Sequence, residues 1–230
     1  MTNKIIGIQG DKLDKINISS DTSIFLAHEA QKLGYKIFYY TPSNLSIIKN
    51  KTYANGVFVK FNYEKKKFYK IYKKQKIFVE NLKFILIRQD PPFNSEYLIT
   101  TLILDGLKKV RVINNPTAIR NVSEKLYSKH FIKYMPNTLF SNNIVEIKKF
   151  YNQNKSMIMK PINGYGGNQI HLIKKKFNKK LITNFLNKNG HSMFQKFLKN
   201  ISKGDKRVFI INGKVCGAIS RVPKKGSYLS

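Results

Sequence analysis

The stretch Met157–Gly167, with the alternating run Gln169–Ile173 behind it, constrains the fold of this chain more than any other. It reads as strand, glycine-rich loop, strand. The apolar residues Met157, Ile158 and Met159 deliver Lys160 to a strand end, and Pro161 forbids a helix there. Gly164, Gly166 and Gly167 then let main-chain N–H groups close over an anion. A Walker-type loop would place its lysine after the glycines and a helix beyond it, and a dinucleotide fingerprint would also open a helix. Here the lysine precedes the loop and a strand follows, which suggests a nucleotide clamped between strands. A plain glycine-rich hairpin satisfies the same pattern.

The rest of the chain supplies the frame. Lys4–Gln9 reads as a strand, Thr22–Leu33 as a helix capped by Asp21 and ended by Gly34, and Lys36–Tyr40 as a second strand. Such a βαβ opening implies a parallel sheet. Val57–Phe61 and Phe68–Val79 alternate like strands, and Phe84–Arg88 is a short apolar strand that runs into Pro91 and Pro92. Arg88 and Asp90 therefore fall at the C-terminal edge of the sheet, where open α/β sheets bind ligands. A helix over 95–107, a strand over 111–114 and helical turns over 117–130 follow. After Pro136 the order is strand 138–140, helix 143–151, strand 157–160, the glycine loop, strand 169–173, helix 179–186 and strand 192–197. Asn212-Gly213 then marks a type I′ hairpin between 206–211 and 214–222. The change of rhythm sets a boundary near Ser123, giving domains 1–122 and 123–230.

Composition limits the function classes. The 230 residues carry 43 basic and 12 acidic side chains, a net charge of +31. Such an excess points to anionic partners. The lysines are spread along the chain with much Asn and Ile, as compositional drift would leave them, and nucleic acid is an unlikely partner on that account. The dense stretches 63–74 and 174–180 interleave cations with aromatics, yet each also fits a solvated edge or loop. No apolar run reaches the ~20 residues of a membrane span, and Met1–Ile8 has no signal-peptide pattern. No membrane association and a cytoplasmic location are the expectation. The one cysteine, Cys216, excludes a disulfide framework or a Cys-based zinc site, and its apolar neighbours suggest a buried structural thiol.

Four further features belong with Lys160. Lys125 precedes the loop, the strand-end residues Gln195, Lys196, Phe197 and Leu198 follow it, Asp205 and Arg207 open the next strand, and Arg221 ends the hairpin. Two lysines neutralise polyphosphate, a strand-end peptide offers hydrogen bonds to a purine, a carboxylate accepts from ribose hydroxyls, and guanidinium groups hold phosphoryl charge.

With these residues in place the chain resembles the bacterial glutathione synthetases, members of the ATP-grasp ligase superfamily, from Ile5 to about Gly226. The carriers are 18–23, Arg88–Asn94, 114–116 with 121–126, Lys160–Gly167 and 204–207, of which Arg88, Asp90, Pro91, Pro92 and Phe93 are the most specific. The resemblance implies a fold: an N-terminal parallel-sheet (pre-ATP-grasp) α/β domain that binds substrate, then an incomplete α+β ATP-grasp domain. It also implies ATP-dependent joining of γ-glutamylcysteine to glycine through an acyl phosphate. By the same resemblance Lys125 and Lys160 contact ATP phosphates, Asn163, Gly164, Tyr165, Gly166 and Gly167 form the loop over them, Gln195–Leu198 holds adenine, and Asp205 sits near ribose. Arg207 and Arg221 are the catalytic pair that stabilises the intermediate, and Ser19, Ser20, Asp21, Arg88 and Asp90 bind the dipeptide. Mg²⁺ is implied as well, with its ligands in a glycine-rich lid and final strand that the family carries beyond this stretch, so that the chain is expected to be a fragment. Family members form oligomers, which makes a homo-oligomer the default. Two other readings stay open at this point: an ATP-grasp ligase with a different acceptor, against which Arg88–Phe93 speaks, and a non-catalytic nucleotide or nucleic-acid binder.

Overall fold

The computed structural model describes residues 4–65, 67–224 and 227. Residues 1–3 of the N-terminal stretch, Lys66 of the first lysine-rich stretch and Gly226 at the end of the resemblance lie outside them. The chain divides into two compact units, Met1–Val122 and Ser123–Ser230.

The first unit is a seven-stranded sheet with helices on both faces. Its elements are β1 (Ile5–Gln9), α1 (Thr22–Lys32), β2 (Lys36–Tyr40), β3 (Leu45–Ile48), β4 (Lys51–Phe61), β5 (Tyr69–Phe78), β6 (Phe84–Ile87), α2 (Ser95–Asp105), β7 (Arg111–Ile113) and α3 (Pro116–Asn121). The strand order is β3-β4-β2-β1-β6-β7, with β5 on the other side of β4. Parallel pairing joins β2, β1, β6 and β7, as the βαβ opening implies. The remainder of the sheet is antiparallel. β3 and β4 are joined only by Lys49 and Asn50, with φ of 47° and 61°, and a two-residue link permits no other direction.

Period-two alternation sorts β2 between two cores. Ile37 and Tyr39 pack with Ile6, Ile8 and the α1 residues Ile24 and Ala27, whereas Phe38 and Tyr40 pack with Ile85, Ile87 and Leu104 of α2. Asp21 caps α1 by accepting from the N–H groups of Ser23 (2.6 Å) and Ile24 (3.0 Å). Among the described residues β5 pairs only with β4, and its lysines 70, 73, 74 and 76 are exposed along a solvated edge.

The second unit contains β8 (Thr138–Ser141), α4 (Ile144–Asn154), β9 (Ser156–Pro161), β10 (His171–Lys174), α5 (Lys179–Asn189), β11 (Ser192–Lys196), β12 (Asp205–Ile211) and β13 (Lys214–Arg221). Four of these strands form an antiparallel sheet in the order β10-β9-β11-β8. Met157, Met159 and Phe194 face α4 and α5, and pack on Ile147, Phe150, Ile182 and Phe185. The intervening Ile158, Lys160 and Gln195 are thereby sent to the opposite face.

Among the described residues β12 and β13 pair only with each other, through a turn at Asn212 (φ 50°) and Gly213 (φ 76°). Two sequence expectations change here. Cys216 is exposed, because the apolar run around it lies on this two-stranded ribbon, with no sheet packed over it among the described residues. Gln169 adopts φ of 56° and stays in the loop, so β10 starts two residues later than the alternation suggests.

Candidate functional site

The face of the second sheet opposite its helices carries a cavity of about 500 Å³, lined by Lys160, Gly166, Gly167, Gln195, Lys196, Phe197, Leu198, Asp205, Arg207 and Arg221, with Glu124, Pro136, Ile158, Ile170 and Ile201. Ten of the residues read from the sequence as nucleotide-binding or catalytic thus surround one space.

Lys160 enters it from the end of β9. Its Nζ donates to Gln195 Oε1 at 2.7 Å. Burial pushes the Lys160 ammonium below the usual lysine range, the charge of Lys125 pushes the same way, and Glu124 opposes. Two ammonium groups near enough to repel make a receptor for a polyanion. Lys125 itself is held by Glu124 (3.2 Å) and donates to the Gly164 carbonyl, which ties it to the glycine loop.

Loop geometry depends on its glycines. Gly166 and Gly167 have φ of 59° and 75°, consecutive left-handed positions that a side chain would strain. A Cβ at Gly164 would lie 2.4 Å from Pro161 Cγ. Within the loop the Gly164 N–H donates to Pro161 O and that of Asn168 to Tyr165 O. Among the described residues, the N–H groups of Tyr165, Gly166 and Gly167 have no acceptor. Asn163, Gly164 and Tyr165 lie on the loop and Lys125 is tied to it, but none of the four lines the cavity.

The strand-end residues are less interchangeable than the sequence suggests. The N–H groups of Lys196 and Phe197 are spent on Asn137 O (2.9 Å) and Ser156 O (3.2 Å). Only the Leu198 N–H of this group is without a partner among the described residues. Ile158, Ile170, Phe197 and Ile201 supply apolar walls beside it. The sequence reading placed Ile158 and Ile170 in strands without assigning them to the site; for Ile158 the signal was its spacing of two from Lys160, which puts both on one face, whereas Ile170 precedes β10 and carries no such signal.

Asp205 and Arg221 form one bidentate ion pair, with Nε to Oδ1 at 2.8 Å and Nη2 to Oδ2 at 2.5 Å. Arg207 lines the same cavity. The carboxylates there are Glu124, paired with Lys125, and Asp205, paired with Arg221. Among the described residues no group of three or more His, Cys, Asp or Glu is placed to hold a metal ion.

A second constellation lies in the first unit at the C-terminal ends of β1 and β6. Arg88 donates through Nε to Ser23 Oγ (2.9 Å) and through Nη2 to Thr22 Oγ1 (2.7 Å). The Asp90 N–H donates to Asp11 Oδ2 at 2.8 Å. Burial raises the Asp90 carboxyl above its usual range, Asp11 and Asp21 add to the rise, and Arg88 opposes it. Three carboxylates and one guanidinium are thus in electrostatic contact. Ser19 and Ser20 instead complete a local turn with Asn17. The sequence reading missed Asp11 and the Thr22–Ser23 contacts of Arg88; the clue for Asp11 was its position just past β1, equivalent to that of Asp90 past β6. Gln89 points inward and accepts from Gln9 Nε2 at 2.5 Å, with Arg88 half-buried and Asp90 exposed on either side of it.

Comparisons with known proteins bear on the family of the chain. The family model for the prokaryotic glutathione synthetase N-terminal domain matches residues 5–120, and that for the prokaryotic glutathione synthetase ATP-grasp domain matches residues 124–230. The chain is 35% identical over 222 residues to a glutathione synthetase of Mesorhizobium japonicum, covering 95% of this chain and 71% of that protein. A glutathione synthetase of Buchnera aphidicola from Acyrthosiphon pisum is 34% identical over 228 residues, with 96% and 71% covered. The chain thus spans about 71% of the length of these curated relatives.

Among solved structures, a RimK domain ATP-grasp protein from Sphaerobacter thermophilus gives a TM-score of 0.60 at 12% identity, covering 94% of this chain and 72% of that one. D-alanyl-alanine synthetase A from Vibrio cholerae gives 0.57 at 16% identity, covering 100% and 70%. These two support the ATP-grasp fold alone. No helix among the described residues is long and apolar enough to cross a membrane. On the matches to both of its units, the chain belongs to the prokaryotic glutathione synthetase family.

Proposed function

We propose that this protein acts as an ATP-dependent carboxylate–amine ligase that joins γ-glutamylcysteine to glycine. The observation that carries the reading is the cavity in which Lys160, the glycine loop and a Leu198 N–H without a partner among the described residues converge. Its parts fit the parts of ATP: an apolar slot with one main-chain donor for a purine, and, for phosphates, the Lys160 ammonium with loop N–H groups that have no acceptor among the described residues.

In the reaction a carboxylate oxygen of the dipeptide's cysteinyl residue attacks the γ-phosphorus, and the bond to ADP breaks. The glycine nitrogen then attacks the acyl carbon, loses a proton, and phosphate leaves with the electron pair of the C–O bond. Lys125, Lys160, Arg207 and Arg221 are the groups of this chain that neutralise the transferring charge. Magnesium carried in with ATP belongs to this reading, and it would offset phosphate charge while held largely by the phosphates and water. Asp205 serves first to orient Arg221 and only through it the nucleotide.

The acidic edge of the first unit suits the dipeptide. Its γ-glutamyl end bears an α-ammonium and an α-carboxylate, for which Asp11, Asp21 and Asp90 offer negative charge and Arg88 a guanidinium. Ser19 and Ser20 border that region on the chain. A cytoplasmic location follows from the same reading, since ATP and a thiol-bearing substrate kept reduced meet there. A homo-oligomer remains the expectation from the resemblance.

Phosphate release with ATP and Mg²⁺ tests the proposal, with γ-glutamylcysteine and glycine each present or omitted. Release that requires both, with glutathione formed one for one, is expected. ATP hydrolysis indifferent to both would overturn it, as would steep salt-dependent binding of single strands that ATP does not compete for.

A further inference from the structure

One chain of hydrogen bonds in the cavity has a direction fixed at both ends. Lys160 Nζ donates to Gln195 Oε1 at 2.7 Å, Gln195 Nε2 donates to Thr138 Oγ1 at 3.0 Å, and the Thr138 hydroxyl donates to Pro136 O at 2.7 Å. An ammonium has only donors and a proline carbonyl only accepts. Between them the amide and the hydroxyl have a single consistent orientation. Thr138 commits its one proton to Pro136, so its oxygen must accept, and only the NH₂ end of Gln195 can meet it. The carbonyl end is thereby turned toward Lys160.

The geometry points to Thr138 as a positioning residue for nucleotide phosphates, acting through Gln195 on the Lys160 ammonium. The strand register makes this possible: Thr138 on β8 is the direct partner of Gln195 on β11, which in turn is the partner of Ile158 on β9, two residues before Lys160. Gln195 is only 9% exposed, so solvent does little to stabilise a wrong orientation of its amide. If the amide flips, its NH₂ faces the ammonium, donor against donor. Lys160 then loses its tether at the place where it must meet a phosphate. Nothing in the sequence signals this role, since Thr138 reads as an ordinary β-branched strand residue.

This role rests on the reading of Lys160 as a phosphate ligand. Thr138→Val keeps the branched shape and strand propensity but removes the acceptor, while Thr138→Ser keeps the hydroxyl. Affinity for a non-hydrolysable ATP analogue and for adenosine, followed by calorimetry and ligand NMR, separates the possibilities. Expected is an analogue affinity about tenfold weaker in Thr138→Val, equivalent to ~1.4 kcal/mol, with adenosine binding unchanged and Thr138→Ser like the wild type. Unchanged analogue affinity in Thr138→Val, equal weakening of adenosine, or failure of Thr138→Ser to restore binding would each overturn it. Lys160→Ala distinguishes the two claims. If it loses the analogue while Thr138→Val does not, the Thr138 role alone fails; if it binds like the wild type, the phosphate reading fails and the Thr138 role with it.

Discussion

Arg221 and Asp205 are cross-strand partners at the open end of the β12–β13 hairpin, and the guanidinium grips both carboxylate oxygens, at 2.8 and 2.5 Å. The two roles that the resemblance gives them separately, at ribose and at the acyl phosphate, therefore fall on one ion pair. The carboxylate raises the Arg221 pKa further above its already high value, so the guanidinium stays charged throughout. Gly204, next to Asp205, has φ of 93°, and a Cβ there would lie 2.4 Å from the Arg221 carbonyl oxygen. The hairpin base is a single construction.

Disturbing that construction is expected to impair nucleotide use without unfolding the chain. Arg221→Lys keeps the charge but loses the fork, and Gly204→Ala forces the strands apart. Each is expected to raise the apparent KM for ATP about tenfold, with the far-UV circular dichroism of the wild type. An unaltered KM in either variant would show that the pair only closes the hairpin.

Lys160 gives a pH dependence with a definite sign. Phosphate binds the protonated amine, and burial together with Lys125 lowers its pKa. Nucleotide affinity is thus full below that lowered pKa and falls as pH rises through it, earlier than an exposed lysine with pKa of about 10.4 would allow. Lys125→Met removes one repelling ammonium and moves the fall to higher pH. In the ligand-free protein the cost of the buried ammonium is present below the folded pKa and relieved as pH rises through it. Binding titrations across the alkaline range check the direction, and a fall that Lys125→Met leaves in place would contradict the coupling.

Asp90 sets function against stability. A carboxyl whose folded pKa lies above the unfolded one costs stability at neutral pH, and the cost disappears as pH falls through the folded pKa. Asp90→Asn is therefore expected to weaken dipeptide binding, spare ATP, and raise the urea midpoint at pH 7. A lowered midpoint with equal loss of both ligands would assign Asp90 to the fold instead.

Neighbouring positions of β9 separate packing from binding. Met159 is fully buried against the helices, and Met159→Ala is expected to cost about 2–5 kcal/mol of stability. Ile158→Ala, on the cavity face, should leave urea unfolding nearly unchanged and weaken nucleotide binding. Opposite outcomes would mean that the strand is turned the other way.

Much of this was legible because it is local. Alternation located β9, β11 and the parallel strands, Asp21 announced α1, and Asn212-Gly213 announced the hairpin turn. β3 went unread because its turn is made by Lys49 and Asn50, which lack the Asn-Gly signature of a link with two positive φ values. Cys216 was misjudged because an apolar run signals burial only when another layer covers it. The Thr138–Gln195–Lys160 chain and the Asp205–Arg221 pair depend on strand register between distant segments, which single-strand patterns do not encode.

Calorimetric titration of a non-hydrolysable ATP analogue into the wild-type chain and into Lys160→Ala tests most directly whether the cavity beside the glycine loop holds the phosphates of ATP. One analogue bound per wild-type chain, and none by a Lys160→Ala protein that retains its fold, is the result expected. Equal affinity in the two folded proteins would contradict the assignment.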